Sequence, residues 1–368
     1  MFPKQRCLRK CLLSEKGNRV YLDNIAMDAG DATRRLKGLL PPGWRIAAVR
    51  AQDREAGADL AVRVTAPDGR STTWAFAIKD RIDPRDVQSM VAGLRAGRRG
   101  AHVVAAPFLS PRTRELLEEA GIAYLDLTGN ARLVASRPGL FISRQGSDKS
   151  PTREDRRRLS LKGPKAGRVV RALCDTLPPI GVRALAMRTQ TDPGYVSRLV
   201  EALAREALVK RDGRGPVREV DWRRLIRRWA EDYVLLGGGR SASYLAPRGA
   251  QAVLDRIGAA GFRYAVTSSF AASKMAPVAP PRLLMVYVDR RQVAAEVLEL
   301  RPAEAGANVL LLSPFDSVVY ERTWERDGIV FAAPSQVAVD LLTSPGRGPA
   351  EADALLAWMA ENERAWRT

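Results

Sequence analysis

Gly194, Tyr195, Ser197 and Arg198 carry, within one short stretch, the side-chain chemistry of base recognition. An arginine fork can donate two parallel hydrogen bonds to guanine O6 and N7, and hydroxyl groups bond base edges or phosphates. Val196, Leu199, Val200 and Leu203 recur at i, i+3, i+4 and i+7. That period predicts a helix whose apolar stripe turns inward and leaves the recognition residues, with Glu201 and Arg205, on the opposite side. Asp192-Pro193 opens it with an N-cap residue and a proline at the first helical position. Arg183 and Thr191 precede this helix, and Lys210, Arg211, Arg214 and Arg218 follow it. All six are candidate DNA contacts, and the charge of Lys210, Arg211, Arg214 and Arg218 suits a phosphate backbone more than a base sequence.

Two further places invite an enzymatic reading. Asp59 opens a predicted strand, and the next strand ends in Ala77-Ile78-Lys79. Two carboxylates on adjacent strands beside a lysine would hold magnesium, which demands hard oxygen ligands in fixed geometry. The tract resembles the PD-(D/E)xK nuclease superfamily, which implies a second acid two residues before the lysine, where this sequence has Ala77. Asp80 points to the opposite face by strand alternation, and an acid from another segment, such as Glu55, would have to complete the set. Thr267-Ser268-Ser269 followed by Tyr287-Val288-Asp289 resembles a nucleotidyltransferase core, and that resemblance implies an Asp-x-Asp metal pair in which Tyr287 stands in place of the first acid. The expectation is therefore no metal-dependent chemistry and no cofactor. His102 is the single histidine, and Cys7, Cys11 and Cys174 are the three cysteines. Together they cannot supply a histidine-based triad or a Cys/His zinc site within one chain, and the low, odd cysteine count fits a reducing compartment.

The elements that must position these residues follow from periodicity. Ala166, Val169, Val170 and Leu173 predict one helix, and Val182, Leu185 and Ala186 a shorter second. Leu208–Arg211 and Val217–Val220 flank an Asp212-Gly213 turn signal and predict a two-stranded ribbon. Three helices and a ribbon over residues 165–235 read as a winged helix-turn-helix, its third helix shaped for a major groove. Residues 1–40 read as an N-terminal extension or a leading helix. Residues 41–145 read as a small α/β domain: strands at 44–51, 59–64, 72–79, 102–106, 124–127 and 132–135, a helix begun by Asp83-Pro84 and another by Ser110-Pro111. Residues 146–164 are polar, charged and proline-containing, as expected of a linker. Gly237-Gly238-Gly239 predicts a flexible joint, with no Lys-Ser/Thr after it to make a phosphate-binding loop. Residues 240–368 predict a last α/β domain, with helices at 247–257 and 350–358 and strands at 264–267, 283–288, 309–312, 318–320 and 329–332.

Charge separates these segments. The 368 residues hold 60 Lys+Arg and 41 Asp+Glu, a net charge of +19. Residues 1–150 carry 26 basic and 16 acidic side chains, 151–230 carry 20 and 9, and 231–368 carry 14 and 16. The positive excess therefore lies in the first two-thirds, as expected where a polyanion binds. No apolar run approaches the ~18 residues of a membrane span.

Several tracts carry resemblances to known families. Gly181-Val182-Arg183-Ala184-Leu185-Ala186 with Asp192-Pro193-Gly194-Tyr195-Val196-Ser197-Arg198 resembles the winged helix of prokaryotic transcription factors. Together with Tyr244–Gly249, Tyr264–Ala272 and Ala333–Leu341 it is similar to the abortive-infection type IV antitoxin (AbiEi-like) family in its actinobacterial form. Leu125–Asn130 is similar to segments upstream of such winged helices, so the likeness spans roughly residues 100–368. The first domain resembles the PD-(D/E)xK nuclease superfamily with an alanine in the catalytic motif. The last resembles a nucleotidyltransferase core in which Ser268 and Tyr287 replace the expected glycine and first aspartate. These resemblances imply a multidomain α/β and α+β chain: a degenerate restriction-endonuclease-like α/β domain, a central winged helix, and a nucleotidyltransferase-like α/β domain. The expected function is a sequence-specific DNA-binding regulator without enzymatic activity, cytoplasmic and nucleoid-associated, with double-stranded DNA as partner. A homodimer and a protein partner for the C-terminal domain are compatible with it. A nucleic-acid-cleaving enzyme acting through the first domain and an antitoxin acting by protein interaction are the alternatives.

Overall fold

The computed structural model describes residues 26–49, 58–97, 101–151, 160–237 and 239–368. Cys7, Cys11, Glu55 and Gly238 lie outside the described residues. The chain is a mixed α/β structure that divides into two compact units, 1–158 and 159–368.

In the first unit, α1 (Ala29–Leu39) starts at a capping box in which Asp28 and Asp31 each accept the other's backbone N–H. It is followed by β1 (Arg45–Ala48), β2 (Leu60–Thr65), β3 (Ser71–Ile78), α2 (Val87–Gly97), β4 (Ala101–Ala106), α3 (Pro111–Glu119), β5 (Ala123–Asp126), β6 (Ala131–Ala135) and β7 (Leu140–Arg144). The strands form one sheet in sequence order. β3, β4 and β5 run parallel, because α2 and α3 make the two crossovers, while the hairpins on either side run antiparallel. Alternation sorts the side chains. Leu60, Val62, Val64, Trp74 and Phe76 pack with Ala32 and Leu36 on one face. Val104, Ala106 and Tyr124 pack with Val87, Val91 and Leu117 on the other. The result is α1, sheet, then α2 and α3, in three layers.

The second unit opens with α4 (Pro164–Asp175), α5 (Val182–Arg188), α6 (Pro193–Arg205), β8 (Val209–Arg211), β9 (Val217–Val220) and α7 (Trp222–Ala230). After these come β10 (Ser241–Leu245), α8 (Ala250–Ile257), β11 (Tyr264–Thr267), α9 (Ser268–Ala272), β12 (Leu284–Val288), α10 (Arg291–Val297), β13 (Arg301–Pro302) and β14 (Val309–Leu312). β15 (Trp324–Arg326), β16 (Ile329–Phe331), α11 (Pro334–Leu342), α12 (Gly348–Glu361) and α13 (Glu363–Trp366) complete it. Its seven-stranded mixed sheet has the order β13-β10-β14-β12-β11-β16-β15.

Several features depart from the sequence reading. Met27, Ala32 and Leu36 lie in the core of the first unit, so residues 27–39 are part of that unit and not an extension. β7 closes the sheet where no strand was expected, because only Leu140 of its five residues is buried and the alternation is faint. The tract expected as a linker is short: Ser150 is buried in the first unit, and Leu161 is buried in the second with its N–H on Asp232 at 2.6 Å. Residues 317–320 form a 3-10 turn capped by Asp316, not a strand. Most consequentially, the segments on either side of the three glycines share one core. Val169, Val170 and Leu173 of α4, Leu225, Ile226 and Trp229 of α7, and Val337 and Leu341 of α11 belong to a single buried cluster.

Gly167 marks how closely α4 is docked. A Cβ there would sit 2.6 Å from Cε2 of Phe315, whose ring is pinned edge-on by Trp229 and Tyr233. Helix propensity alone would favour alanine by about 0.8–1 kcal/mol, whereas overpacking costs about 1–3 kcal/mol. We therefore expect Gly167→Ala to lower the stability of the second unit in urea unfolding; a more stable variant would show that α4 is not packed this tightly.

Candidate nucleic-acid interface

Two helices and the tight turn between them present the residues singled out for base contact. α5 ends at Thr189, whose hydroxyl bonds back to Leu185 O at 2.8 Å. Gln190 then takes a φ of 48° and reverses the chain, while Thr191 N bonds Ala186 O. Asp192 caps α6 by accepting Tyr195 N–H at 2.8 Å. Val196, Leu199, Val200 and Leu203 are buried, so the inner face of α6 is fixed by packing. Gly194, Ser197, Arg198 and Arg205 are exposed on its other side.

The candidate residues divide by environment. Arg183, Arg198 and Arg214 are exposed, and no acid pairs with any of them among the described residues. Tyr195 is half-buried against the core, which pushes its phenol pKa up. Thr191 is a correction. It is buried, and its hydroxyl bonds Thr189 O at 2.9 Å, so its side chain packs the turn instead of facing outward. Lys210 pairs with Glu219 across the ribbon at 2.7 Å, and Arg218 with Asp212 at 3.3 Å. Both pairs are exposed, and such pairs contribute only about 0–1 kcal/mol, so a phosphate could displace the acids. Arg211 is half-buried beside them. The ribbon turns at Gly213, whose φ of 56° favours glycine, and Ile180 adds a bridge to Val217.

What holds this surface in place was not legible in the sequence. Arg168 of α4 makes a bidentate pair with Asp316 at 2.9–3.1 Å and donates to Thr189 O at 3.4 Å. One side chain thus ties the turn before α6 to the C-terminal half of the unit. Arg171, one turn later, is fully buried. It bonds Asp175, Gln336 Oε1 at 3.0 Å, Val318 O at 3.2 Å and Glu321 O at 3.1 Å. Asp175 also accepts the Ser335 hydroxyl. α4 and α7 take this packing, and the outer faces of α5, α6 and the ribbon keep their exposed side chains.

The two other places with chemical promise have different geometries. Asp59 pairs with Lys79 at 3.7 Å and accepts Ile78 N–H at 2.7 Å. Asp59 and Lys79 therefore meet each other directly, and Ala77, which stands two residues before the lysine, is buried. No cluster of three His, Cys, Asp or Glu side chains suited to a metal occurs among the described residues.

At the β11–α9 junction, Ser268 adopts a φ of 57°, a conformation that favours glycine. Beside it, Asp340 of α11 is buried and accepts four hydrogen bonds: from Thr267 at 2.5 Å, Tyr233 and Tyr287 at 2.9 Å each, and Gln336 at 2.9 Å. Desolvation outweighs these donors and pushes the Asp340 carboxyl up to about 6 from its usual 3.8. Burial and then the Asp340 charge push the Tyr233 and Tyr287 phenols upward. Tyr287 therefore occupies its position as a structural donor. It joins the C-terminal sheet to Tyr233, which follows α7.

Searches against protein-family models, curated proteins and solved structures return no match to this chain.

The Asp340 carboxyl makes stability depend on pH in a defined direction. Its folded pKa lies above the unfolded one, so the folded state gains relative to the unfolded as pH falls from about 6 toward 4, and loses that gain as pH rises. Because other carboxylates act oppositely, Asp340→Asn is the reference. Wild type should gain on the order of 2–3 kcal/mol relative to Asp340→Asn between pH 7 and 4. A difference that stays constant across that range would contradict the assignment.

Proposed function

We propose that the chain is a sequence-specific double-stranded DNA-binding protein that regulates transcription through a winged helix-turn-helix formed by α4, α5, α6 and the β8–β9 ribbon. The observation that carries this reading is the outer face of α6. Gly194, Ser197 and Arg198 stand exposed on a helix whose opposite face is buried, and among the described residues no acid pairs with Arg198, Arg183 or Arg214. A helix of 13 residues begun by Asp192-Pro193 can lay its N-terminal turns in a major groove. Arg198 and Ser197 then meet base edges, while Arg183, Lys210, Arg211, Arg214 and Arg218 meet phosphates. The net charge of +19, concentrated before residue 231, supports a polyanionic partner.

The resemblance to the AbiEi-like antitoxin family supports the same assignment, and the two mixed sheets agree with it in class. On this reading the first unit is a restriction-endonuclease-like domain without its second acid. The C-terminal sheet is a nucleotidyltransferase-like domain whose first acid has become Tyr287, and both are scaffolds. Among the described residues no helix is long and apolar enough to cross a membrane.

Duplex titrations test the reading. Arg198→Ala should flatten sequence preference by about 1–3 kcal/mol at one position and leave thermal unfolding unchanged. Unaltered specific affinity would overturn the role of α6. Arg214→Ala should instead weaken all duplexes alike and reduce the slope of log K against log salt by about 0.9. A wild-type slope would remove the ribbon from the interface.

A further inference from the structure

The first unit carries charge that has no acidic partner among the described residues. In the antiparallel β1–β2–β3 edge of its sheet, Arg45 lies opposite Thr65 and Ala47 opposite Arg63, while Arg63 and Thr65 lie opposite Thr73 and Ser71. Cross-strand partners share a face, so these six residues line one side of the sheet. The other side of the same strands, through Ile46, Val62 and Val64, faces the core. Five of the six are exposed and Thr65 is partly so.

Arg45 and Arg63 occupy diagonal positions on neighbouring strands, about 7–8 Å apart, where like charges repel. Several exposed arginines of the unit take acids: Arg34 pairs with Asp31, Arg70 with Asp68 and Arg81 with Asp83. No acid pairs with Arg45 or Arg63 among the described residues, and their cross-strand neighbours are hydroxyls and an alanine. Two guanidiniums edged by Thr65, Ser71 and Thr73 form an uncompensated anion-binding surface. It offers bidentate donors at a span that successive phosphates of one strand can fill. It has no bulky apolar side chain to enter a lipid surface, which membrane-binding faces need beside their basic residues.

We propose that this sheet face is a second contact for double-stranded DNA, gripping the phosphate backbone without reading sequence. The inference rests on the reading that the chain binds duplex DNA, and it adds a contact outside the unit that carries α6. The net charge of residues 1–150, with 26 basic and 16 acidic side chains, agrees with it.

The test is titration of the full chain with duplexes of mixed sequence over a salt series. Arg45→Ala/Arg63→Ala should weaken binding to every duplex alike and lower the salt slope by about 1.8, at ~0.9 per phosphate contact. Thermal unfolding should not change, and Arg45→Lys/Arg63→Lys should recover most of the slope. Arg198→Ala, measured in parallel, separates this claim from the one it rests on. An unchanged slope in the double alanine variant, with sequence preference lost in Arg198→Ala, overturns the second contact and leaves α6 standing. A lowered slope with Arg198→Ala indistinguishable from wild type supports the second contact and overturns the α6 assignment. Absence of duplex binding by wild type overturns both. Wild-type binding to phosphatidylserine vesicles but not to duplex, lost in the double variant, assigns the face to a lipid surface and overturns this inference.

Discussion

A guanidinium that is 1% exposed ties the two halves of the second unit together. Arg171 cannot shed its charge, so each of its donors must find an acceptor inside the protein. Asp175 supplies one on the same helix, and Gln336, Val318 and Glu321 supply the rest from the C-terminal half. Removing a partner from such a buried charge costs about 3–5 kcal/mol. α4 therefore has one acceptable placement against α11. Arg168, one turn earlier, passes that placement on to the turn before α6.

This arrangement bears on what the C-terminal half does. The regions on either side of the glycine-rich tract are joined by a common core, by the Arg168–Asp316 pair and by the Tyr233–Tyr287–Asp340 network. On the proposed reading, a second unit built this way holds its recognition helix rigidly and leaves little freedom for it to swing. A groove-reading helix gains from such preorganisation, because the ordering cost is met in folding and not at each binding event.

Much of α6 was legible from sequence because local rules decide it. Val196, Leu199, Val200 and Leu203 set its inner face, and Asp192-Pro193 its start. The strands of the first unit were legible for the same reason: Leu60, Val62 and Val64 alternate cleanly. The partners of Arg168 and Arg171 lie some 150 residues away, and no local pattern announces them. Thr191 looked like a contact because a hydroxyl beside a recognition helix invites it. The turn geometry that buries it depends on Gln190 adopting a left-handed φ, which glutamine does not advertise. Asp340 sat in a tract noticed only for its likeness to a family. Its burial comes from the packing of α11 against α4, α7 and β11, elements distant in sequence.

The central claim is that α6 reads base edges. Selection of bound fragments from a randomised duplex pool by the 368-residue chain tests it most directly. The account predicts one enriched motif, with an invariant guanine at the position that Arg198 meets. Recovery of duplexes in proportion to their input, with binding but no motif, would contradict it and reduce the protein to a phosphate-backbone binder.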